Sequence, residues 1–177
     1  MNRNSLVART ALLSGLVVLA GCSKEIDFSL PAEFTVNSTG GVPYSVVQQI
    51  DLAVDAPDAW SHKDKVKDLS LVDITGTVLA TYPPTPTGGT TGSGTVWLRP
   101  DTATGTSSDV SIGSYTSKTI ATGQTVIITL APAALTIVND ALAGNGRFKV
   151  VATGTTVASA NFLVEVILHM KLNYKII

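Results

Sequence analysis

Alternation of apolar and polar residues with a period of two is the dominant pattern of this chain. It is longest over residues 161–177, where every second side chain is apolar. The apolar positions there are Phe162, Val164, Val166, Leu168, Met170, Leu172, Tyr174 and Ile176. This period predicts a strand with one face in the core. A strand of that length also predicts a bend or bulge midway, which would let it serve both layers of a folded sheet.

Shorter segments rich in threonine and valine recur between clusters of glycine and proline, which is typical of strands separated by turns. They are 25–36, 44–54, 69–82, 95–99, 118–130 and 147–152. Pro31 predicts an edge position or a break, because proline has no amide hydrogen for a sheet ladder. Two low-complexity stretches, 83–94 and 102–108, are predicted to be exposed, mobile loops. Together these segments predict an all-β fold, an antiparallel β-sandwich of the immunoglobulin-like or a similar Greek key type.

One or two short helices are predicted beside the strands. Residues 132–143 begin with a proline and end before a glycine, both of which suit the ends of a helix. Three apolar side chains of this segment share one face: Leu135, Val138 and Leu142. Residues 61–68 are the second candidate, because Ser61 and Asp64 stand at the spacing of a capping box.

The beginning of the chain has the pattern of an export signal. Residues 1–9 carry Arg3 and Arg9 and no acidic side chain, and residues 11–20 are nearly all apolar. A membrane-spanning helix needs about 20 apolar residues, so this shorter run predicts a secretory signal instead.

The apolar run ends in Leu19-Ala20-Gly21-Cys22, which contains the only cysteine of the chain. This motif resembles the lipobox of bacterial lipoproteins, which closes a type II signal peptide. The resemblance implies cleavage just before Cys22, a thioether-linked lipid on that cysteine and acylation of the new amino terminus. It divides the chain into a signal peptide, 1–21, and one lipid-anchored domain, 22–177.

Ser23 and Lys24 follow the lipidated position, and no aspartate stands there. In lipoproteins of the Gram-negative type, that resemblance implies delivery to the outer membrane. Two or more acyl chains hold a protein stably on a bilayer, so the membrane is a predicted partner. Without Arg3 and Arg9 the domain carries ten basic and thirteen acidic side chains, a net charge of −3. This balance argues against nucleic-acid binding, and no basic run is present to supplement the anchor.

No motif of the domain points to catalysis, and no metal and no cofactor besides the covalent lipid are predicted. The glycine-rich stretch 88–95 lacks the lysine of a phosphate-binding loop, and there is no Gly-x-Ser-x-Gly elbow. Glu165 and His169 share a strand face but lie about 13 Å apart, too far to share a metal ion. Asp55 and Asp58 leave a calcium site open, although the spacing of the acids does not match an EF-hand.

Aromatic residues offer the best candidate binding surface. Trp60, Tyr82 and Tyr115 lie in or beside predicted loops, where rings can stack on sugars or anchor a protein partner. Trp97, between two apolar neighbours in a predicted strand, is expected in the core. The sequence therefore predicts a non-catalytic structural or interaction module of the outer membrane, which engages another envelope protein. A lipoprotein that binds a glycan or small ligand is the second hypothesis, and an envelope hydrolase is the third.

Overall fold

A computed structural model of the chain describes residues 23–131 and 135–176. The signal peptide 1–21, Cys22 and the first turn of the predicted helix 132–143 lie outside the described residues. The lipidation of Cys22 therefore stays a prediction. Within the described ranges, no helix combines the length and the apolar character that crossing a bilayer requires.

Eight strands and three short helices follow one another in these ranges. The strands are β1 (Ser23–Thr39), β2 (Tyr44–Asp51), β3 (Val66–Tyr82), β4 (Thr90–Pro100), β5 (Val110–Ile120), β6 (Thr125–Leu130), β7 (Arg147–Thr156) and β8 (Ser159–Lys175). The helices are α1 (Leu52–Asp55), α2 (Pro57–Ser61) and α3 (Thr136–Ala143), and a 3₁₀ turn spans Lys63–Lys65. The predicted all-β fold with a few short helices is confirmed.

The strands form one antiparallel sheet in the order β1-β8-β3-β6-β5-β4-β7-β2. β6 pairs with β3 over four residue pairs and with β5 over only two, so the sheet folds at β6. The resulting halves, β1-β8-β3-β6 and β5-β4-β7-β2, enclose one core. The edge strands β1 and β2 contact each other without forming a ladder, which nearly closes a barrel. This connectivity is that of a jelly roll built from two Greek keys, in agreement with the Greek key alternative.

The connections between strands collect at two ends of the barrel, because neighbouring strands run in opposite directions. The proximal end, where β1 begins and β8 ends, carries α1, α2, the 3₁₀ turn, the loop 101–109 and α3. The distal end carries the turns 40–43, 83–89, 121–124 and 157–158. β1 contains 17 residues, so at about 3.3 Å per residue it separates the two ends by roughly 50 Å.

Alternate side chains of the long strands fill the space between the two halves. In β8 the buried residues are Ala160, Phe162, Val166, Leu168, Met170, Leu172 and Tyr174. This confirms the core face predicted for 161–177, except that Val164 is only half-buried and Ile176 lies exposed beyond the strand. Each large apolar side chain buried in this way stabilises the fold by about 1.5–3 kcal/mol.

The bulges lie in β3, so a bulge within 161–177, one of the two alternatives predicted there, is wrong. β8 pairs with β1 along its whole length without a register shift. β3 carries one extra residue relative to β8 at Lys67, Val72 and Leu79. Since an extra residue increases the local twist of its own strand, β3 curves beside a regular β8.

The predicted helix 61–68 is also wrong. The chain forms a 3₁₀ turn there and then enters β3, where Leu69 is buried opposite Leu172 of β8. Pairing with β8 stabilises this segment more than a helix would, because its capping box has aspartate in place of glutamate. The helices α1 and α2 lie just upstream of this segment. The side chain of Asp51 caps α1, and the strand predicted for 44–54 therefore ends at Asp51.

The segment 118–130 forms parts of two strands, where the sequence predicted one. β5 and β6 are separated by a tight turn in which Gly123 has a φ of 81°. Glycine adopts this conformation without the steric cost that a side chain would impose. The turn is closed by hydrogen bonds to both backbone groups of Val78.

One loop is shorter than predicted. The stretch 83–94 is a loop only to residue 89, because β4 begins at Thr90 and pairs with both β5 and β7. The stretch 102–108 lies entirely in a loop, as predicted. Pro31 lies on the edge strand β1, which confirms the edge position.

Candidate functional site

The three aromatic residues predicted to bind a ligand lie in three separate places. Trp60 is half-buried in α2 at the proximal end, with its ring against Gly146. Tyr82 is exposed at the distal end of β3. Tyr115 lies midway along β5 and packs against the core. The structure does not bring these three rings together on one surface.

Tyr115 belongs to a row of four residues that crosses one half of the sheet. The row consists of Tyr44 in β2, Gly154 in β7, Gly94 in β4 and Tyr115 in β5. The two hydroxyl oxygens are hydrogen-bonded at 2.6 Å. A Cβ added at Gly94 would lie 2.7 Å from the Tyr115 hydroxyl, and one at Gly154 would lie 2.6 Å from the Tyr44 hydroxyl. The two glycines therefore make the space that the tyrosines occupy.

The tyrosine pair borders a small apolar cavity in the core, of about 40 Å³. Burial raises the pKa of Tyr44, and the neighbouring Tyr115 raises it further. Burial raises the pKa of Tyr115 as well. Both phenols are therefore neutral at neutral pH, and their hydrogen bond joins β2 to β5 without providing a nucleophile.

Trp97 lies on the outer face of β4, so its predicted place in the core is wrong. Val96 and Leu98 occupy the inward positions on either side of it. The indole nitrogen of Trp97 donates to the hydroxyl of Thr153 at 2.9 Å. Val151 of β7 is the register partner of Trp97. Val151 is fully buried, but it does not belong to the core cluster.

Asp55 and Asp58 lie in the two short helices and not on an open loop. One carboxylate oxygen of Asp55 accepts the amide of Asp51 at 2.8 Å. Across residues 23–131 and 135–176, no three side chains of the His, Cys, Asp or Glu types are grouped to hold a metal ion. The arrangement gives the calcium hypothesis no support.

A serine, a histidine and an aspartate from three strands meet on the outer face of the sheet. Ser29 of β1 and Asp73 of β3 are both register partners of His169 in β8. The Oγ of Ser29 lies 3.0 Å from Nδ1 of His169, and Oδ1 of Asp73 lies 3.6 Å from Nε2. These are the groups of a nucleophile, a base and an orienting carboxylate. Sequence analysis missed this row, because the strand pairing alone brings its members together.

The surroundings of this row are those of an open surface. The side chains of His169 and Asp73 are 38% and 49% exposed, beside a shallow cleft of about 300 Å³. The bulged residue Val72 directly precedes Asp73, and bulges often redirect a neighbouring side chain. Oδ1 of Asp73 is covered and has no hydrogen-bond partner among the described residues.

Three apolar side chains are exposed at the distal end. The amide of Gly41 donates to the end of β7 at 2.7 Å, and that of Val157 donates to the Thr91 carbonyl at 2.9 Å. These bonds attach the turn 40–43 to the end of β7 and the turn 157–158 to the start of β4. The exposed fractions of Val42, Tyr82 and Val157 are 53%, 46% and 78%. We call these three residues the apolar tip.

Polar contacts fix the loop 101–109 at the proximal end. Arg99 and Asp109 form a nearly buried bidentate ion pair, with nitrogen–oxygen distances of 2.6 and 2.7 Å. The hydrogen bond to Asp109 raises the pKa of Arg99. The ammonium of Lys149 donates to the Asp101 carbonyl at 2.6 Å. The loop is therefore attached to β4 and β7.

No protein-family model matches the chain, and no curated protein matches it. Among solved structures it is similar to a chain of Desmodium yellow mottle tymovirus, with 14% identity and a TM-score of 0.30, covering 100% of this chain and 98% of that one. It is similar to the capsid protein of BFDV, with 11% identity and a TM-score of 0.42, covering 85% and 99%. It is also similar to a chain of turnip yellow mosaic virus, with 11% identity and a TM-score of 0.33, covering 99% and 92%. Similarity at this level does not extend to function.

Proposed function

We propose that this chain is a bacterial outer-membrane lipoprotein, held by a lipid on Cys22, whose β-domain is a non-catalytic module that binds another envelope protein. The apolar tip is the observation that carries the proposal. Its three side chains are exposed at the end of the barrel opposite Ser23. Exposed apolar side chains mark protein-interaction sites where they form a patch.

The position of the tip suits such a role. A lipid on Cys22 would be attached directly before Ser23, the first residue of β1. The tip then lies at the far end of β1, up to roughly 50 Å from the point of attachment. A partner bound there would not compete with the anchor for the proximal end.

Photo-crosslinking in intact cells tests this proposal. A photoreactive amino acid at position 157 is expected to give a discrete adduct with one envelope protein, because Val157 is the most exposed residue of the tip. Val54 provides a matched control, since it is also an exposed valine, 74% against 78%, and lies at the proximal end. The adducts are separated on denaturing gels and identified by mass spectrometry. An equal adduct pattern from positions 157 and 54, or no adduct from any residue of the tip, would contradict the proposal.

An envelope hydrolase is the second candidate, because one observation favours it. Ser29, His169 and Asp73 form a row with the components of a catalytic triad. The exposed setting argues against this candidate, since hydrolases of this type enclose their nucleophile and surround it with oxyanion donors. The glycan-binding hypothesis has no comparable observation, because its aromatic residues lie apart.

Labelling with a fluorophosphonate probe separates the hydrolase from the non-catalytic module. For a non-catalytic module we expect no stable adduct, because the Ser29 hydroxyl has no catalytic surroundings that would activate it. A hydrolase would give an adduct that is lost in Ser29→Ala and His169→Ala and kept in Ser70→Ala. Ser70 is a suitable control because it is an exposed serine in the neighbouring strand β3. Intact-mass measurement reads the outcome directly.

A further inference from the structure

The outer face of the half-sheet β5-β4-β7-β2 carries hydroxyl side chains in rows that cross its strands. The first row consists of Ser45, Thr153, Thr95 and Ser114, which are register partners from β2 across β7 and β4 to β5. The second row consists of Thr155 and Ser93, which are register partners in β7 and β4. These positions alternate with core residues such as Val96, so their side chains point outward. We call these six residues the hydroxyl rows.

The hydroxyl rows line a shallow groove of about 660 Å³. Thr106 of the loop 101–109 also borders this groove, and its carbonyl accepts the amide of Asp109 at 3.1 Å. Asp109 forms the nearly buried ion pair with Arg99, so this side of the groove is held in place by the sheet. A groove that is already formed binds a ligand at a lower entropic cost than one that must first be ordered.

The groove offers hydrogen-bonding groups without charge. None of the described residues that line it is acidic or basic. Within the described ranges, Thr153 and Ser93 are the only members of the hydroxyl rows whose hydroxyls form hydrogen bonds with the protein. A hydroxyl both donates and accepts, so the other four can pair with the hydroxyls of a ligand in either sense. An ionic ligand would lose its hydration in this groove without gaining a counter-charge.

Trp97 adds an aromatic ring beside the first row. It lies two residues after Thr95 on the same face of β4, and its indole nitrogen donates to the Thr153 hydroxyl at 2.9 Å. Together with Val151 and Val47 it forms an apolar row next to the hydroxyls. A sugar unit has hydroxyls around its edge and C–H groups on its faces. Adjacent polar and apolar rows therefore match a sugar better than they match a purely polar or purely apolar ligand.

The spacing of the first row suits an extended chain of sugars. Neighbouring strands lie about 4.8 Å apart, so four strands present their hydroxyls over roughly 14 Å. One unit of an extended oligosaccharide has a length close to this strand spacing. Successive sugar units can therefore meet the hydroxyls of successive strands.

We propose that this groove binds a neutral oligosaccharide, about three to four units of which lie along the hydroxyl rows. The site differs from the one that the sequence suggested for a glycan, because hydroxyls of the sheet and not loop aromatics provide the contacts. It goes beyond the proposed binding of an envelope protein. None of the three residues of the apolar tip lines the groove, so the two sites can be occupied independently.

Isothermal titration calorimetry on the full chain tests the proposal. The protein is kept in a polyoxyethylene detergent, because a detergent with a sugar head group would compete for the groove. The probes are neutral tetrasaccharides of glucose, mannose, galactose and xylose, together with the anionic tetragalacturonate. We expect at least one neutral probe to bind, and tetragalacturonate to bind at least about tenfold more weakly than the best of them. No binding of any neutral tetrasaccharide, or equal binding of tetragalacturonate, would overturn the proposal.

A double variant locates the binding site. Thr95→Val/Ser114→Ala removes two hydroxyls of the first row with little change of shape, and it is expected to weaken binding of the best probe by about tenfold. Thr91→Val/Thr119→Val is the matched control, because Thr91 and Thr119 are exposed register partners in the same two strands and do not line the groove. This control should bind as the unchanged protein does.

Thermal melts check that both double variants are folded. Equal affinity of the two variants for the probe would also overturn the proposal, because the hydroxyl rows would then not contact the sugar. Thr95→Val/Ser114→Ala is expected to keep the crosslinked adduct from position 157. Failure of the oligosaccharide site and failure of the protein-binding proposal are therefore read from different measurements.

Discussion

Replacement of Cys22 by serine is expected to shift the protein from the membrane fraction to the soluble fraction of the envelope, or to leave an unprocessed precursor. The serine hydroxyl cannot form the thioether, and the remaining chain offers no described helix that could span a bilayer. Acyl chains contribute about 0.8 kcal/mol per buried CH₂, so losing them removes nearly all of the attachment. Fractionation of cells, followed by intact-mass measurement of the lipid adduct, reads both outcomes.

The neighbouring substitution Ser23→Ala is the control for Cys22→Ser. It keeps the thiol and should leave both lipid mass and fractionation unchanged. A Cys22→Ser protein that is processed at the normal site and remains in the membrane fraction would contradict the lipoprotein proposal. The apolar tip would then need a different explanation.

Arg99→Met is expected to lower the free energy of unfolding by about 3 kcal/mol, because it leaves the Asp109 carboxylate buried without its partner. The two side chains are only 10% and 7% exposed, and they share two hydrogen bonds. Chemical denaturation of the purified domain measures the loss. The double variant Arg99→Met/Asp109→Leu should recover most of it, since replacing a whole buried pair by apolar groups is often neutral.

Arg147→Met gives the matched comparison at the same end of the barrel. Its pair with Asp51 spans 2.9 Å, but the two side chains are 52% and 27% exposed. Exposed pairs contribute about 0–1 kcal/mol, so the expected loss is small. Similar losses in Arg99→Met and Arg147→Met would show that burial of the Arg99 pair does not matter for stability.

The strands were predictable where one face of the sheet is buried and the other is not. In β8 the side chains alternate between buried and half-buried positions along most of the strand, and the sequence repeats that period. Prediction failed where two signals competed over a few residues. At 61–68 a weak capping motif suggested a helix, and the ladder of β3 with β8 formed instead. At 118–130 the apolar residues continue through a turn that Gly123 makes possible.

The site residues were less predictable than the strands. Ser29 and His169 are separated by 140 positions, and the distance between them follows from the β1–β8 register. Tyr115 was expected beside a loop, yet the glycines of β4 and β7 admit its ring to the interior. Such contacts depend on strand order, which a period of two cannot encode.

The sequence by itself determined that the chain forms antiparallel strands around an apolar core, because the alternation of side chains is a local property of a pleated strand. It also determined the lipobox prediction, which rests on contiguous residues. Only the tertiary structure decided which strands are neighbours, and therefore which polar and charged groups meet. The apolar tip and the serine–histidine–aspartate row combine residues far apart in the chain, since pairing energy depends on the whole sheet and not on any one segment.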